Sequence, residues 1–104
     1  MTTFVVQQAA SYRLDEIYTY TESRWGKAQA DKYLKGLFNH FERIASQNAF
    51  SYPVPAELEV DGYFSRYEKH FVYWKLLESG RTGIVTVLHE RMHQLPRFQE
   101  DTRS

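Results

Sequence analysis

Apolar residues along this chain recur with two different periods, and the switch between them divides it. From about Ala9 to Arg24, continuing to Trp25, the positions Leu14, Ile17, Tyr18, Thr21 and Trp25 fall three and four apart. On a helix that spacing makes one stripe. Asp15, Glu16 and Glu22 lie off it. From about Lys27 to Ser46 the same period returns more strongly, through Ala30, Tyr33, Leu34, Leu37, Phe41, Ile44 and Ala45. Lys32, Lys35, Asn39 and Glu42 sit mainly on the other side. The break is Trp25-Gly26, where glycine takes a left-handed conformation at little cost and stops the first helix. So short a connection predicts two adjacent antiparallel helices with their apolar faces available to a sheet.

The rest of the chain reads as strands. Thr3 to Gln7 is β-branched and aromatic. Residues 47–61 are irregular, and Pro53 and Pro55 exclude both a helix and a central strand there. Three further strands are predicted at Gly62 to Tyr67, Phe71 to Leu77 and Thr82 to Glu90. The segments 68–70 and 78–81 are short enough for hairpin turns. FVYWKLL (Phe71 to Leu77) is apolar on both faces apart from Lys75, which places it centrally. The order β-α-α-β-β-β predicts a two-layer α+β fold. An N-terminal strand, a helical hairpin and a three-stranded antiparallel meander share one sheet. At 104 residues the chain is one domain, 1–104.

Composition narrows the function. With 42% hydrophobic and 25% charged residues the chain is globular. The aromatic share of 16% helps a small domain bury area and leaves aromatics over for a binding surface. There is no Cys, no apolar run long enough to span a membrane, and no signal-peptide pattern in MTTFVVQQAASYR. A cytoplasmic location follows as the expectation. Formal net charge is zero. Residues 1–62 carry six Lys/Arg against eight Asp/Glu, and residues 63–104 carry seven against five. A domain that holds nucleic acid by its phosphates carries a larger basic excess. Direct nucleic-acid binding by this chain alone is therefore not expected.

The sharpest local string is HERMH, His89 to His93. It satisfies the H-E-x-x-H zinc-protease pattern, which needs both histidines on one helical face. The alternating IVTVL before it puts His89 on a strand, so neither a metal nor a cofactor is expected. If the chain stays extended, His89, Arg91 and His93 point to one side. With Arg66 on the same face they would form a cationic, titratable patch. The plainer role for Arg66 is a surface ion pair with Glu68 or Glu90. Trp25, Tyr33, Phe38 and Phe41 are assigned to core or hairpin packing. Tyr12, Tyr18 and Tyr20 exceed what one buried stripe needs, so they either anchor a partner helix or pack at the solvent edge. Tyr73 and Trp74 alternate across the sheet, one toward the helices and one outward. An outward aromatic there suggests a covered face, under a partner segment or a second copy. No Cys nucleophile, glycine-rich phosphate loop or Gly-x-Ser-x-Gly elbow is present.

This order, with these residues, resembles the ParE branch of the RelE/ParE toxin superfamily. DEIYTYTESRWGKAQADKYL (Asp15 to Leu34), FERIA (Phe41 to Ala45), GYFSRYEKHFVYWKLLESG (Gly62 to Gly80) and IVTVLHERMH (Ile84 to His93) carry the resemblance, which covers nearly the whole chain. It implies the toxin of a type II toxin–antitoxin pair, silenced by a cognate ParD-like antitoxin that wraps it and through which DNA is contacted. ParE-like toxins poison DNA gyrase, whereas RelE-like relatives cleave mRNA in the ribosome. The leading expectation is a gyrase inhibitor that works by binding, without catalysis. Arg91, Met92, His93, Arg97 and Phe98 are the expected gyrase contacts, because they mix cations with apolar groups as an interface does. Tyr12, Tyr18, Tyr20 and Trp74 are the expected antitoxin contacts. The alternative is a RelE-like ribosome-dependent endonuclease using Arg66, His89, Arg91 and His93 as acid, base and phosphate clamp. Such nucleases resemble one another in carrying a Tyr or His close to the C-terminus. The tail here, QLPRFQEDTRS, offers Phe98, which transfers no proton. A third reading is a binding module that only titrates an antitoxin.

Overall fold

The computed structural model describes residues 4–55 and 61–91. Its elements are β1 (Phe4–Val6), α1 (Gln8–Trp25), α2 (Lys27–Ala45), β2 (Tyr52–Pro53), β3 (Tyr63–Tyr67), β4 (His70–Leu76) and β5 (Thr82–His89). The five strands form one sheet in the order β1-β5-β4-β3-β2. β1 runs parallel to β5; the helical hairpin carries the chain from β1 at one edge of the sheet to β2 at the other, and β3 and β4 lead back to β5. The other pairings are antiparallel. The α+β architecture is as the sequence predicts, with β4 in the middle. One element is additional: β2 lies inside the segment read as irregular. It has only two residues and sits at the sheet edge, where Pro53, which has no N–H to donate, is tolerated.

Gly26 ends α1 and begins α2 in a single residue. Its N–H donates to the Glu22 carbonyl at 2.9 Å, and its own carbonyl accepts from the Ala30 N–H at 3.1 Å. The backbone there is φ 94°, ψ 167°, a region reached almost only by glycine. A Cβ at this position would meet nothing within 4 Å, so a side chain costs only through the backbone. Gly26→Ala is expected to lower stability by about 1–3 kcal/mol, read as a lower Tm with an unchanged far-UV spectrum.

The main core lies between the helices and the sheet. Ala10 and Leu14 from α1 and Leu37, Phe41 and Ile44 from α2 pack on Val72, Ile84 and Val87. Ile84 and Val87 are three residues apart, yet both face the helices. A β-bulge makes this possible: Tyr73 pairs with Thr86 but Trp74 pairs with Ile84, leaving Val85 as the extra residue. A second cluster on the far face joins Val54, Tyr73, Val85 and Leu88, with Phe64 and Phe71 beside them.

Several aromatic assignments change. Trp25 is not packed in the core; it is 66% exposed. Residues 22–29 are exposed throughout, so the tip of the hairpin has no layer beneath it. Phe38 is also partly exposed, although its ring meets those of Phe4 and Phe41. Tyr73 faces away from the helices, but it is only 2% exposed because the chain covers it with its own second cluster. Trp74 packs against the helix-side core, stacks on Tyr63 and donates its indole N–H to Ser51 Oγ at 3.0 Å. Among the described residues no helix is long and apolar enough to cross a membrane.

A groove between the helical hairpin and the end of the sheet

A groove of about 540 Å³ opens where α1 and the start of α2 pass over the β3–β4 turn and the end of β5. Ile17, Tyr20 and Trp25 line it from α1, Tyr33 from α2, and His70, Val87, His89 and Arg91 from the sheet side. Its charged lining is mixed, with Arg13, Lys69 and Arg91 beside Glu16 and Glu68, and its aromatic edge is Tyr20 and Trp25. The Arg24 guanidinium lies 5.7 Å from the Tyr20 ring centre and 5.9 Å from the Trp25 ring.

The floor holds a histidine pair. His70 and His89 are cross-strand partners, and their rings stand perpendicular with centres 5.1 Å apart. His70 Nδ1 and Tyr33 Oη share a hydrogen bond of 2.7 Å. The Arg91 backbone N–H donates to His89 Nδ1 at 3.0 Å. Burial pushes the Tyr33 hydroxyl up to about 12. Burial, and then the nearby His89, push His70 down to about 4, against the opposing pull of Glu90. At neutral pH Tyr33 keeps its proton and the His70 ring is uncharged.

The three tyrosines of α1 have separate surroundings. Tyr20, 59% exposed, lines the groove. Tyr12 is equally open and accepts from the Gln8 side-chain amide at 2.8 Å. Tyr18 is tied into the hairpin: its hydroxyl donates to Asp31 Oδ1 at 2.6 Å, and Lys27 Nζ reaches Asp31 Oδ2 at 3.3 Å. The hydrogen bond to Asp31 raises the Tyr18 pKa, and the same bond lowers that of Asp31.

Arg66 does not share a face with His89. It pairs with Phe71, which in turn pairs with Leu88, and that row points away from the helices. His70 and His89 form the neighbouring row, which points toward the helices into the groove. The patch of Arg66, His89 and Arg91 expected from the sequence is therefore split by the sheet. Arg66 instead lies over the Phe71 ring at 5.3 Å, donates Nε–H to the Glu68 carbonyl at 3.0 Å, and forms an ion pair with Glu90. Arg91 lines the groove. Met92, His93, Arg97 and Phe98 lie outside the described residues.

One buried polar contact escaped the sequence reading. His40 Nε2 and Ser65 Oγ are 2.8 Å apart, joining α2 to β3 beneath the hairpin. Burial, followed by Arg43, lowers the His40 pKa. His40 falls three residues from Leu37 and four from Ile44, so its place on the apolar face was legible, but its partner was not.

A family model described as the ParE toxin of a type II toxin–antitoxin system, parDE, matches residues 5–94. The chain belongs to the ParE toxin family. Relatives within it span nearly its whole length. Toxin ParE1 of Caulobacter vibrioides is 30% identical over 93 residues, covering 89% of this chain and 94% of that protein. Toxin ParE1 of Mycobacterium tuberculosis (strain ATCC 25618 / H37Rv) is 29% identical over 94 residues, 86% of this chain and 90% of that protein. Toxin ParE of Escherichia coli is 28% identical over 100 residues, 96% of each. The solved structure of a chromosomal ParDE TA system from P. aeruginosa shares the fold, with a TM-score of 0.62 at 17% identity over 86% of this chain and 96% of that one. The ParE branch, inferred above from four sequence blocks, is thus the family of this chain.

Proposed function

We propose that this ParE-family chain arrests growth by binding DNA gyrase directly, without catalysis of its own, and that a ParD-like antitoxin neutralises it in the cytoplasm. Family membership across residues 5–94 supports the toxin role. The observation that favours binding over ribonuclease chemistry is the separation of Arg66 from His89. A phosphate clamp and a proton-transfer group act on one scissile phosphate only when both reach it, and here a sheet stands between them. In this reading Arg91 and the following Met92, His93, Arg97 and Phe98 supply the gyrase contacts. Deleting residues 92–104 is expected to abolish growth arrest while antitoxin binding persists. Full growth arrest by the shortened chain, at matched folded amounts, would remove the tail from the mechanism.

The antitoxin is assigned to the groove and its rim. Tyr20 and Trp25 are exposed and grouped around the Arg24 guanidinium, which suits them as anchors for an amphipathic helix. Tyr12 extends this surface along α1. Tyr18 and Trp74 have intramolecular partners and contribute at the margin. Trp25→Ala is expected to weaken antitoxin binding by about 2 kcal/mol or more while leaving Tm unchanged, since the ring is mostly in solvent. Titration calorimetry with the cognate antitoxin measures it. An unchanged Kd would move the antitoxin elsewhere.

A further inference from the structure

We propose that His70 and His89 together form a binding site for a divalent transition-metal ion, with Zn²⁺ as the reference ion, on the floor of the groove. The Glu90 N–H donates to the Lys69 carbonyl at 2.8 Å, just outside the His70–His89 pair. The two histidines are therefore a non-hydrogen-bonded pair, the kind in which facing side chains stand closest. Metal–imidazole bonds of about 2.0–2.1 Å on one tetrahedral ion bring two ring centres to roughly 5 Å. The observed separation is 5.1 Å, so chelation needs ring rotation rather than movement of the strands.

The surroundings suit this chemistry. Tyr33 holds His70 by Nδ1, which assigns coordination to Nε2. A hydroxyl can accept from Nδ1–H as well as donate to Nδ1, so it serves as the outer partner of a ligating ring. His89 is held at Nδ1 by the Arg91 backbone N–H. Arg91 is exposed, so water can take over that N–H when the ring reorients. The groove is open enough for an ion that completes its coordination with water.

This is not the zinc-protease arrangement suggested by the HERMH string. Glu16 and Glu68 are the carboxylates that line the groove, while Glu90 turns to the opposite face and pairs with Arg66, so the HERMH glutamate does not stand beside the ion. Its effect is mechanical: it ties the start of β4 to the end of β5, the strand from which the chain continues to residues 92–104.

The test uses the tag-free full chain, stripped with EDTA and exchanged into chelator-free buffer, and titrated with ZnCl₂. One ion per chain is expected by calorimetry. The ring C–H resonances of His70 and His89 should shift, and Tm should rise until EDTA is added. His70→Ala and His89→Ala should each weaken binding at least about tenfold, with circular dichroism confirming that each variant folds. His89 lies at the end of β5, so His89→Ala decides the matter if His70→Ala unfolds. His93→Ala should bind as before. The proposal is overturned by no heat and no shifts at about 1 mM Zn²⁺. It is equally overturned by binding that survives His89→Ala but is lost in His93→Ala.

Discussion

Phe41→Ala is expected to cost about 3–5 kcal/mol and to leave little folded protein at growth temperature. Phe41 has no exposed surface. Its ring meets Phe4 at 5.6 Å and Phe38 at 5.2 Å, so it joins β1 to α2 as well as filling the core. Truncation removes the ring and leaves a cavity that β1, a three-residue edge strand, cannot collapse to fill. Small domains have a total stability of about 5–15 kcal/mol, so the loss is a large share of the whole. Urea unfolding should show a much lower midpoint with an unchanged slope. A loss under about 1 kcal/mol would mean that the core is not centred between hairpin and sheet as described.

Acidification should destabilise the protein in a window set by two histidines. His40 and His70 both have folded-state pKa values below the ordinary histidine value of 6.5, mainly through burial. In such a case the unfolded chain takes up protons first. Stability is therefore complete above about pH 6.5 and falls as pH drops toward the folded-state value, about 4 for His70. Among the described residues the Tyr33 hydroxyl and His89 face His70, and the Glu90 carboxylate acts on it from the opposite face of the sheet. Discounted for its partial exposure, His70 alone contributes about 2 kcal/mol to this decline, and His40 acts in the same direction. Melting curves at pH 7.5 and 4.5, both with EDTA so that only protons titrate, should differ by many degrees. The difference should shrink in His70→Asn. Equal melting temperatures in the wild-type chain would contradict the buried, neutral state of both rings.

The helices were legible because two long stripes of period 3.6 lie back to back with one glycine between them. The predicted start at Ala9 and the observed one at Gln8 differ by a single residue. The central strand was legible from a run apolar on both faces. What the sequence withholds is register. Strict alternation along IVTVL would separate Ile84 from Val87, and nothing in the residue types marks the bulge that lets both face the helices. Register also decides that Arg66 shares a row with Phe71 and Leu88 while His89 shares one with His70. A shift of one residue would have put all the cations together. Trp25 misled for a different reason. Its spacing fits the stripe, but a stripe does not say where the sheet beneath it ends.

Other contacts were invisible because they span the chain. Tyr33 meets His70 across 37 residues and His40 meets Ser65 across 25. Gly36 is unexplained within its own helix, where glycine lowers helix propensity. Its reason is Tyr67, whose hydroxyl lies 1.9 Å from where a Cβ would be. That ring is wedged between Tyr33 and His40, so the close approach of α2 to β3 depends on the missing side chain.

The most direct test of the whole account is a gyrase supercoiling assay with the purified full chain, run beside a primer-extension assay on translated mRNA. Supercoiling is expected to be lost in proportion to added protein and recovered when a ParD-like antitoxin is supplied, and transcripts are expected to stay intact. Transcripts cut at the ribosome while gyrase works undisturbed would contradict it.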